Sequence, residues 1–570
     1  MTFDFSLTLD APARAATAAA PATERDISKA RALVVDGQPT SRSLLMAQLR
    51  DIGIGTIKHV SAPSDARPLL ERANYDFVFC ESSFPDPDES GQDLLDELRR
   101  EHLLPYSTVF IMVTAEADYA KVREAAESVV DAYLLRPYSS QRLTERVLEC
   151  RRRKLSLADV FLAHESGQNE RAVTLALARV QQRAPYWSVC ARLAAELLIQ
   201  TERLDEATAL LQELADNADQ PWAKLGLVRV QAARGEGNNA RRNAEALVTE
   251  RPDYADAFDV LGRLQVDQGD LGAALETYRT ASRLTPGCLL RLQHTGTLAF
   301  YTGAAEESIR CLDRVVALGL DSRLFDALTL MLLALAKHDT AQTRGVALAH
   351  EQLRRFLQRH PGSGRLRRME LAVGVLVALC MEQAAEAATS LSRLAAEHQA
   401  DSFDVEAATI LLALLARVPA AMANQIDSTA LVRAVALRCC VSRVVTEVLV
   451  TSVGTDTAFT GILRDAHAEI HGVAERAVAM SAGNRPREAV NLLLEHGRST
   501  LNAKLIDMAA MIAIRHKAGL QDADTLLEMI GMLQGRYCRP VTHLAGVMRS
   551  RRAPGAMALR TAAHRTPSGA

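Results

Sequence analysis

The sequence predicts an open α/β unit with a parallel sheet, (βα)5, followed by a long all-α solenoid. Three observations carry that prediction. From Arg31 to Lys154 short apolar runs alternate with helically spaced ones. Beyond Lys154 strand-like patterns almost vanish, while Ala- and Leu-rich helical patterns continue. Within that second part, small residues recur every 34 positions. Strands alternating with helices imply a parallel sheet covered on both faces. A fixed period of that length implies stacked helix-turn-helix units.

"RALVV" is the first strand, and "TSRSLLMAQLRD" follows it with Leu44, Leu45 and Leu49 at helical spacing. "IKHV" is a second short strand. "SDARPLLERA" reads as a helix capped by Ser64 or Asp65, which puts Pro68 in the first turn, where a missing N–H costs little. "DFVFC" is the third strand and "GQDLLDELRR" its helix. "TVFIMVT" is the fourth strand and "DYAKVREAAE" its helix. "AYLLR" is the fifth, and "SSQRLTERVLECRRRK" closes the unit. "RRRK", Arg151 to Lys154, reads as the solvated face of a helix entering the solenoid. In such sheets the reactive groups lie at the carboxyl ends of the strands. Glu81 ends the third strand there.

Over roughly residues 29–150 these motifs resemble the receiver domains of bacterial response regulators, which have a flavodoxin-like, doubly wound fold. "ALVVDGQPTSR" resembles the family's first strand with its acidic pair, Asp36 matching the first acid. "YDFVFCESSFPDPDESGQDLLDELR" resembles the third strand, phosphoacceptor loop and following helix. "FIMVTA" matches the fourth strand ending in Thr114, and "DAYLLRPYSSQRL" the fifth, with Tyr133 at the aromatic switch position. The resemblance implies an Asp that accepts a phosphoryl group, two acids that help hold Mg²⁺, and a Lys that neutralises phosphoryl charge. Here Gly37 stands for the second acid, Glu81 for the acceptor and Arg136 for the Lys, and the loop after Pro85 looks about three residues longer.

Each departure has a physical consequence. Gly37 removes a carboxylate from a cation that prefers near-ideal oxygen geometry, so Mg²⁺ binding is doubtful and no cofactor is expected. Glu81 carries its carboxylate one methylene further, roughly 1.5 Å, and about 1 Å of misplacement can cost on the order of 100-fold when catalysis is positioning. Arg136 presents a planar fork suited to a fixed carboxylate. Three readings of Glu81 stay open. It pairs statically with Arg136; it stands in for the phosphoryl group beside Thr114 and Arg136; or it still accepts phosphate. Asp86 and Asp88 could substitute as acceptors, against a solvated turn.

The repeat signal is clearest in "PDYADAFDVLGRLQVDQGDLGAALETYRTASRLTP". Pro252 and Pro286 are 34 apart, as are Gly235, Gly269 and Gly303 in turn, Gly262 and Gly296, and Ala240 and Ala274. Phe258, Leu261, Gly262, Gly269, Ala274, Tyr278, Ala281 and Pro286 resemble the consensus packing positions of the tetratricopeptide family. That resemblance implies an extended concave surface that binds a partner protein. The register is lost between about 320 and 480. The sequence divides into a disordered leader (1–28), the receiver (29–150), repeats (155–320), degenerate repeats (321–545) and a disordered basic tail (546–570).

Composition narrows the function classes. A net charge of −3 over 570 residues disfavours general nucleic-acid binding. No apolar run reaches the length of a membrane span, and the first residues lack a signal-peptide pattern. The nine Cys show no metal spacing and read as buried free thiols in a reducing cytosol. No phosphate loop, HExxH or helix-turn-helix reader is present. The expectation is a cytoplasmic, non-enzymatic signalling protein. Its receiver meets a histidine kinase or another signalling protein, and its solenoid binds a protein partner. The alternative is a phosphorylatable regulator in a two-component phosphorelay.

Overall fold

A computed structural model of the chain describes residues 27–538, except 87–88, 101–102, 106, 115–130, 219, 321–324, 420–426 and 521–522. The expected leader before Ile27, the basic tail, Asp88 and the helix expected near 118–127 lie outside the described residues.

Strands β1 (Arg31–Val35), β2 (Thr56–Val60), β3 (Phe77–Glu81), β4 (Val109–Thr114) and β5 (Ala132–Leu135) pair in parallel in the order β2-β1-β3-β4-β5. Every residue of β3 and β4 is buried, as continuous apolar runs in a two-sided sheet require. Helices α1 (Pro39–Asp51) and α4 (Ser140–Ser156) place Leu45, Leu49, Leu143 and Val147 on one face of the sheet. On the other face, α2 (Pro63–Arg72) and α3 (Gly91–Arg100) place Leu70, Leu94 and Leu98.

Two sequence expectations are corrected here. Helix α2 starts at Pro63 with Ala62 as its cap, so Ser64 and Asp65 lie inside it and Pro68 is an interior proline. The fixed φ of Pro63 suits the first helical position and starts the helix two or three residues earlier. The "RRRK" run is not a solvated face. Arg153 and Lys154 turn inward onto the buried Asp131 carboxylate at 2.6 and 3.0 Å, and Arg99 reaches it at 3.4 Å. Of the four residues only Arg152 is exposed. Burial would raise the Asp131 pKa, but Lys154, Arg153, Arg99 and the Phe110 N–H hold it at about 2.

The chain then continues as antiparallel helices. The first stretch is α5 (Ala158–Glu165), α6 (Asn169–Gln181), α7 (Trp187–Gln200), α8 (Leu204–Ala218), α9 (Pro221–Ala233), α10 (Gly237–Glu250), α11 (Ala255–Asp267), α12 (Leu271–Leu284), α13 (Leu289–Tyr301) and α14 (Ala305–Gly319). The second is α15 (Leu328–Asp339), α16 (Thr343–Arg359), α17 (Gly364–Cys380), α18 (Ala384–Ala396), α19 (Val405–Leu415), α20 (Ser428–Cys439), α21 (Arg443–Ser452), α22 (Thr457–Ala482), α23 (Pro486–Thr500), α24 (Ala503–Arg515) and α25 (Ala523–Tyr537).

The period is visible in the helices. Helices α7, α9, α11 and α13 begin at Trp187, Pro221, Ala255 and Leu289, each 34 residues after the last. Gly235, Gly269 and Gly303 end the first helix of successive pairs with φ of +78°, +84° and +80°, a conformation that favours glycine. A side chain at Gly262 would run into the Tyr278 ring, so the small residue sets how closely α11 and α12 approach. Phe258, Leu261, Ala274, Tyr278 and Ala281 are buried, whereas Pro286 stands exposed in the turn before α13.

After α14 the array curls on itself. Helices α13, α15, α17, α19 and α21 touch in succession, and α21 returns to α13. Tyr301 on α13 is buried next to Thr409 of α19. Residues 328–337 and 406–415 are wholly buried, with apolar residues on every face of those helices and Thr329, Lys337, Glu406 and Thr409 the polar exceptions. The inner face of this stretch is filled by its own side chains. The open concave groove expected along the whole array is therefore not available there.

Candidate functional site at the carboxyl end of the sheet

Strands β1, β3, β4 and β5 bring Asp36, Glu81, Thr114 and Arg136 to one end of the sheet. The register places Glu81 beside Val113 and Thr114 beside Leu135. The Arg136 backbone N–H then donates to the Thr114 carbonyl at 2.8 Å. The Arg136 guanidinium lies between the two acids. One terminal nitrogen donates to Glu81 Oε1 and the other to Asp36 Oδ2, each at 2.7 Å. Both carboxylates are buried, Asp36 at 1% and Glu81 at 8% exposure.

Asp36 is further held by the Gln38 N–H and the Ser41 hydroxyl, each at 2.8 Å. Arg42 donates to the Asp36 carbonyl at 2.6 Å. The Tyr138 ring lies beside Arg136, and burial raises the pKa of its hydroxyl while the Arg136 charge opposes that rise. Ser41, Arg42 and Tyr138 escaped the sequence reading because nothing in their spacing sets them apart from other residues on α1 or the β5–α4 turn.

Burial pushes the Glu81 carboxyl up to about 7, with Arg136 pulling down and the neighbouring Asp36 charge pushing further up. Two carboxylates sharing one guanidinium leave one negative charge uncompensated, which adds to the effect of burial, so the ion pair does not cancel the rise. Burial opposes the Arg136 charge, yet the Glu81 and Asp36 carboxylates hold its pKa above the usual guanidinium value.

Gly37 leaves room that the long loop takes up. A Cβ there would stand 3.3 Å from Pro85 Cδ and 3.6 Å from the Phe84 ring. The loop closes through a bridge between Ser83 and Ser90, and Gly91 packs where a Cβ would collide with the Glu81 carbonyl. The Tyr133 hydroxyl donates to Gln92 Oε1 at 3.1 Å, tying the end of β5 to the start of α3. Asp86 is exposed in the turn, as the solvated-turn reading has it, and its carboxylate reaches Arg314 of the solenoid at 3.3 Å.

Residues 32–148 match the family described as response regulator receiver domain. The chemotaxis protein CheY of Pseudomonas aeruginosa is 33% identical over 115 residues, which are 20% of this chain and 90% of that protein. The chain belongs to the response regulator receiver family. Chemotaxis protein CheY-3 of Vibrio cholerae serotype O1 is 31% identical over 115 residues, 20% of this chain and 86% of CheY-3. Among solved structures, the APC/C hetero-tetramer Cut9-Hcn1 is 14% identical with a TM-score of 0.30, covering 66% of this chain and 69% of that one. Naa15/Naa10 bound to HypK-THB is 12% identical with a TM-score of 0.24, covering 61% and 63%. Likenesses this loose carry no inference about function.

A receiver's Mg²⁺ does not fit the groups present at this pocket. Gly37 offers no carboxylate, Pro85 fills the space beside it, and both remaining acids already bind the Arg136 cation. Among the described residues, no helix is long and apolar enough to cross a membrane. Six of the nine cysteines are buried, while Cys311, Cys380 and Cys538 are half-buried.

Proposed function

We propose that the protein is a non-enzymatic signalling protein. Its receiver has a degenerate phosphoacceptor pocket, and its helical array binds a partner protein. The observation behind this reading is Arg136, which lies 2.7 Å from both Glu81 and Asp36. A nucleophile must present a free oxygen in line with a phosphoryl donor, and catalysis of this transfer is mostly positioning. Here the acid at the acceptor position is displaced by a methylene and bonded to the group that stands for the family's Lys. Asp36, Gly37, Glu81 and Arg136 form the degenerate pocket in this reading, with Thr114 and Tyr133 as the switch pair. The receiver occupies 29–150, the repeats 155–320 and their degenerate continuation 321–545. Partner binding falls to the inner face before α13 and to the array's outer faces, because the middle of the array is closed by its own helices.

Intact mass of the full chain after incubation with Mg²⁺ and acetyl phosphate tests the pocket. No added phosphoryl group is expected under conditions that load a CheY control. Stoichiometric addition would overturn the proposal in favour of a working phosphorelay protein. Capture of a stoichiometric protein partner by an immobilised full chain, lost on deleting residues 157–267, tests the binding role.

A further inference from the structure

Helices α2 and α3 each carry a second buried stripe that the sheet does not explain. On α2, Ala66 and Leu70 face the apolar core, but Arg67 and Glu71 are also buried, at 3% and 2% exposure. On α3, Leu94, Leu95 and Leu98 face the core, and Asp93 and Glu97 are buried beside them at 4% and 0%. Charged residues at such spacing normally face water. Here Arg67 and Asp93 meet the solenoid, and Glu97 pairs with Arg67.

The contacts match charge to helix ends. Asp93 Oδ2 accepts from the Gly287 N–H at 3.1 Å, just before α13 begins. Arg67 donates to the Leu318 carbonyl at 2.8 Å, in the last turn of α14. Its other terminal nitrogen pairs with Glu97 at 2.8 Å. Because α13 and α14 are antiparallel, the start of one and the finish of the other lie at the same end of their hairpin. An anion meets the positive helix end and a cation the negative one, the arrangement helix dipoles favour. Arg314 on α14 adds its contact to Asp86 at 3.3 Å. Behind the contact, the fully buried Arg291 locks α13 to Asp259 of α11 and to Thr285 at 2.7–3.2 Å.

The same segment starts at the acid pocket. Glu81 leads into the loop that carries Asp86 and closes at Ser90. The Ser90 hydroxyl then accepts from the Gln92 N–H at 3.1 Å, next to Asp93. Tyr133 holds Gln92 from the other side. We infer that the α2/α3 face and the loop beginning at Glu81 form a charged dock for the paired end of the α13–α14 hairpin, so that the receiver's output is a contact with its own solenoid. This deepens the signalling reading above and rests on it for the meaning of output.

Hydrogen–deuterium exchange of the full chain tests the dock without any partner. The double variant Arg67→Gln/Asp93→Asn is expected to exchange about ten-fold or more faster at residues 286–290 and 315–320, since each charge-assisted bond lost weakens local protection. Residues 258–266 of α11 are the folding control. Wild-type exchange at Gly287 in a folded variant would overturn the dock. If the double variant does not fold, Arg67→Lys serves. It keeps the charge but not both bonds, and an intermediate rate is expected; a wild-type rate overturns the dock. In the second arm, Glu81→Gln is expected to change exchange at Gly287 by about three-fold or more, and an unchanged rate would overturn the link from pocket to dock. Neither arm depends on partner capture or on intact mass, so failure of the dock and failure of the functional proposal are separately visible.

Discussion

Replacing Arg136 by Met probes the charge balance of the pocket most directly. The guanidinium bonds Glu81 and Asp36 at 2.7 Å each, and its side chain is 19% exposed against 10% and 2% for the acids. Removing one partner of a buried ion pair costs about 3–5 kcal/mol, because the remaining charge is uncompensated. Asp36 keeps the Gln38 N–H and Ser41 hydroxyl at 2.8 Å, and Glu81 can take up a proton, so the lower end applies. The expected loss is about 3 kcal/mol at pH 8, roughly a hundred-fold in the opening equilibrium of β1 and β3. At pH 5.5 the variant's Glu81 is protonated, and the loss shrinks to about 1 kcal/mol of hydrogen bonding. The sign follows from linkage. Glu81 in the folded protein holds its proton to about pH 7, above the ~4.3 of an unfolded Glu. The folded state thus binds more protons between these values. The stability contributed by this group falls as pH rises through that window, and the penalty is complete above it. Without Arg136 the window extends upward. The assay is exchange protection of peptides covering 31–35 and 77–81 at pH 5.5 and 8, corrected for intrinsic rate. An equal loss at both pH values, or less than about three-fold at either, would refute the compensating role of Arg136.

Asp131→Asn should cost about 2–3 kcal/mol at pH 7, because an Asp held near 2 adds stability above the unfolded value near 3.9 that is lost as pH falls through the folded one. Urea midpoints at pH 7 and pH 3 should show the difference shrinking at low pH. Gly262→Val drives a side chain into the fully buried Tyr278 ring, whose hydroxyl donates to the Asp259 carbonyl at 3.1 Å. A loss of about 1–3 kcal/mol is expected, read as faster exchange in α11 and α12. Gly269→Ala must hold φ near +84° and brings its Cβ within 3.2 Å of Val444, so about 1–2 kcal/mol is lost and α21 loosens in the same measurement.

The strands and most helices were legible because each has a local cause: continuous apolar runs for β3 and β4, helical spacing for α1 and α4, and a 34-residue period carried by glycines at positive φ. The convergence of Asp36, Glu81, Thr114 and Arg136 was legible too, since all four follow from the parallel order of the strands. What escaped depends on distant partners. The inward turn of Arg153 and Lys154 is set by Asp131, and the burial of Arg67, Asp93 and Glu97 by the α13–α14 hairpin. Both look like ordinary solvated helix faces in the sequence. The closing of α13 to α21 was hidden for a different reason. Residues 328–336 and 407–415 are apolar save for Thr329 and Thr409, which tells of burial but not of which neighbours provide it.

The three departures at the pocket are coupled through charge and volume. The planar fork of Arg136 gives one nitrogen to each acid from fixed, divergent directions, a geometry that the single nitrogen of a Lys does not offer. Glu81, with its extra methylene, brings its carboxylate forward to that fork. Gly37 then keeps a third carboxylate away from the guanidinium that the two acids share, and its vacated volume seats Phe84 and Pro85. Those two residues open the loop whose Asp86 and Ser90 lead to the solenoid contact. Restoring Asp at position 37 alone would therefore add an uncompensated negative charge and press on Pro85, displacing the loop rather than rebuilding a cation site. Restoring Asp at 81 alone would shorten the reach to Arg136 and leave that guanidinium on Asp36. On the proposed reading, intact mass of either single reversion after incubation with Mg²⁺ and acetyl phosphate is expected to show no added phosphoryl group, because the acid, the guanidinium and the loop are fitted to one another.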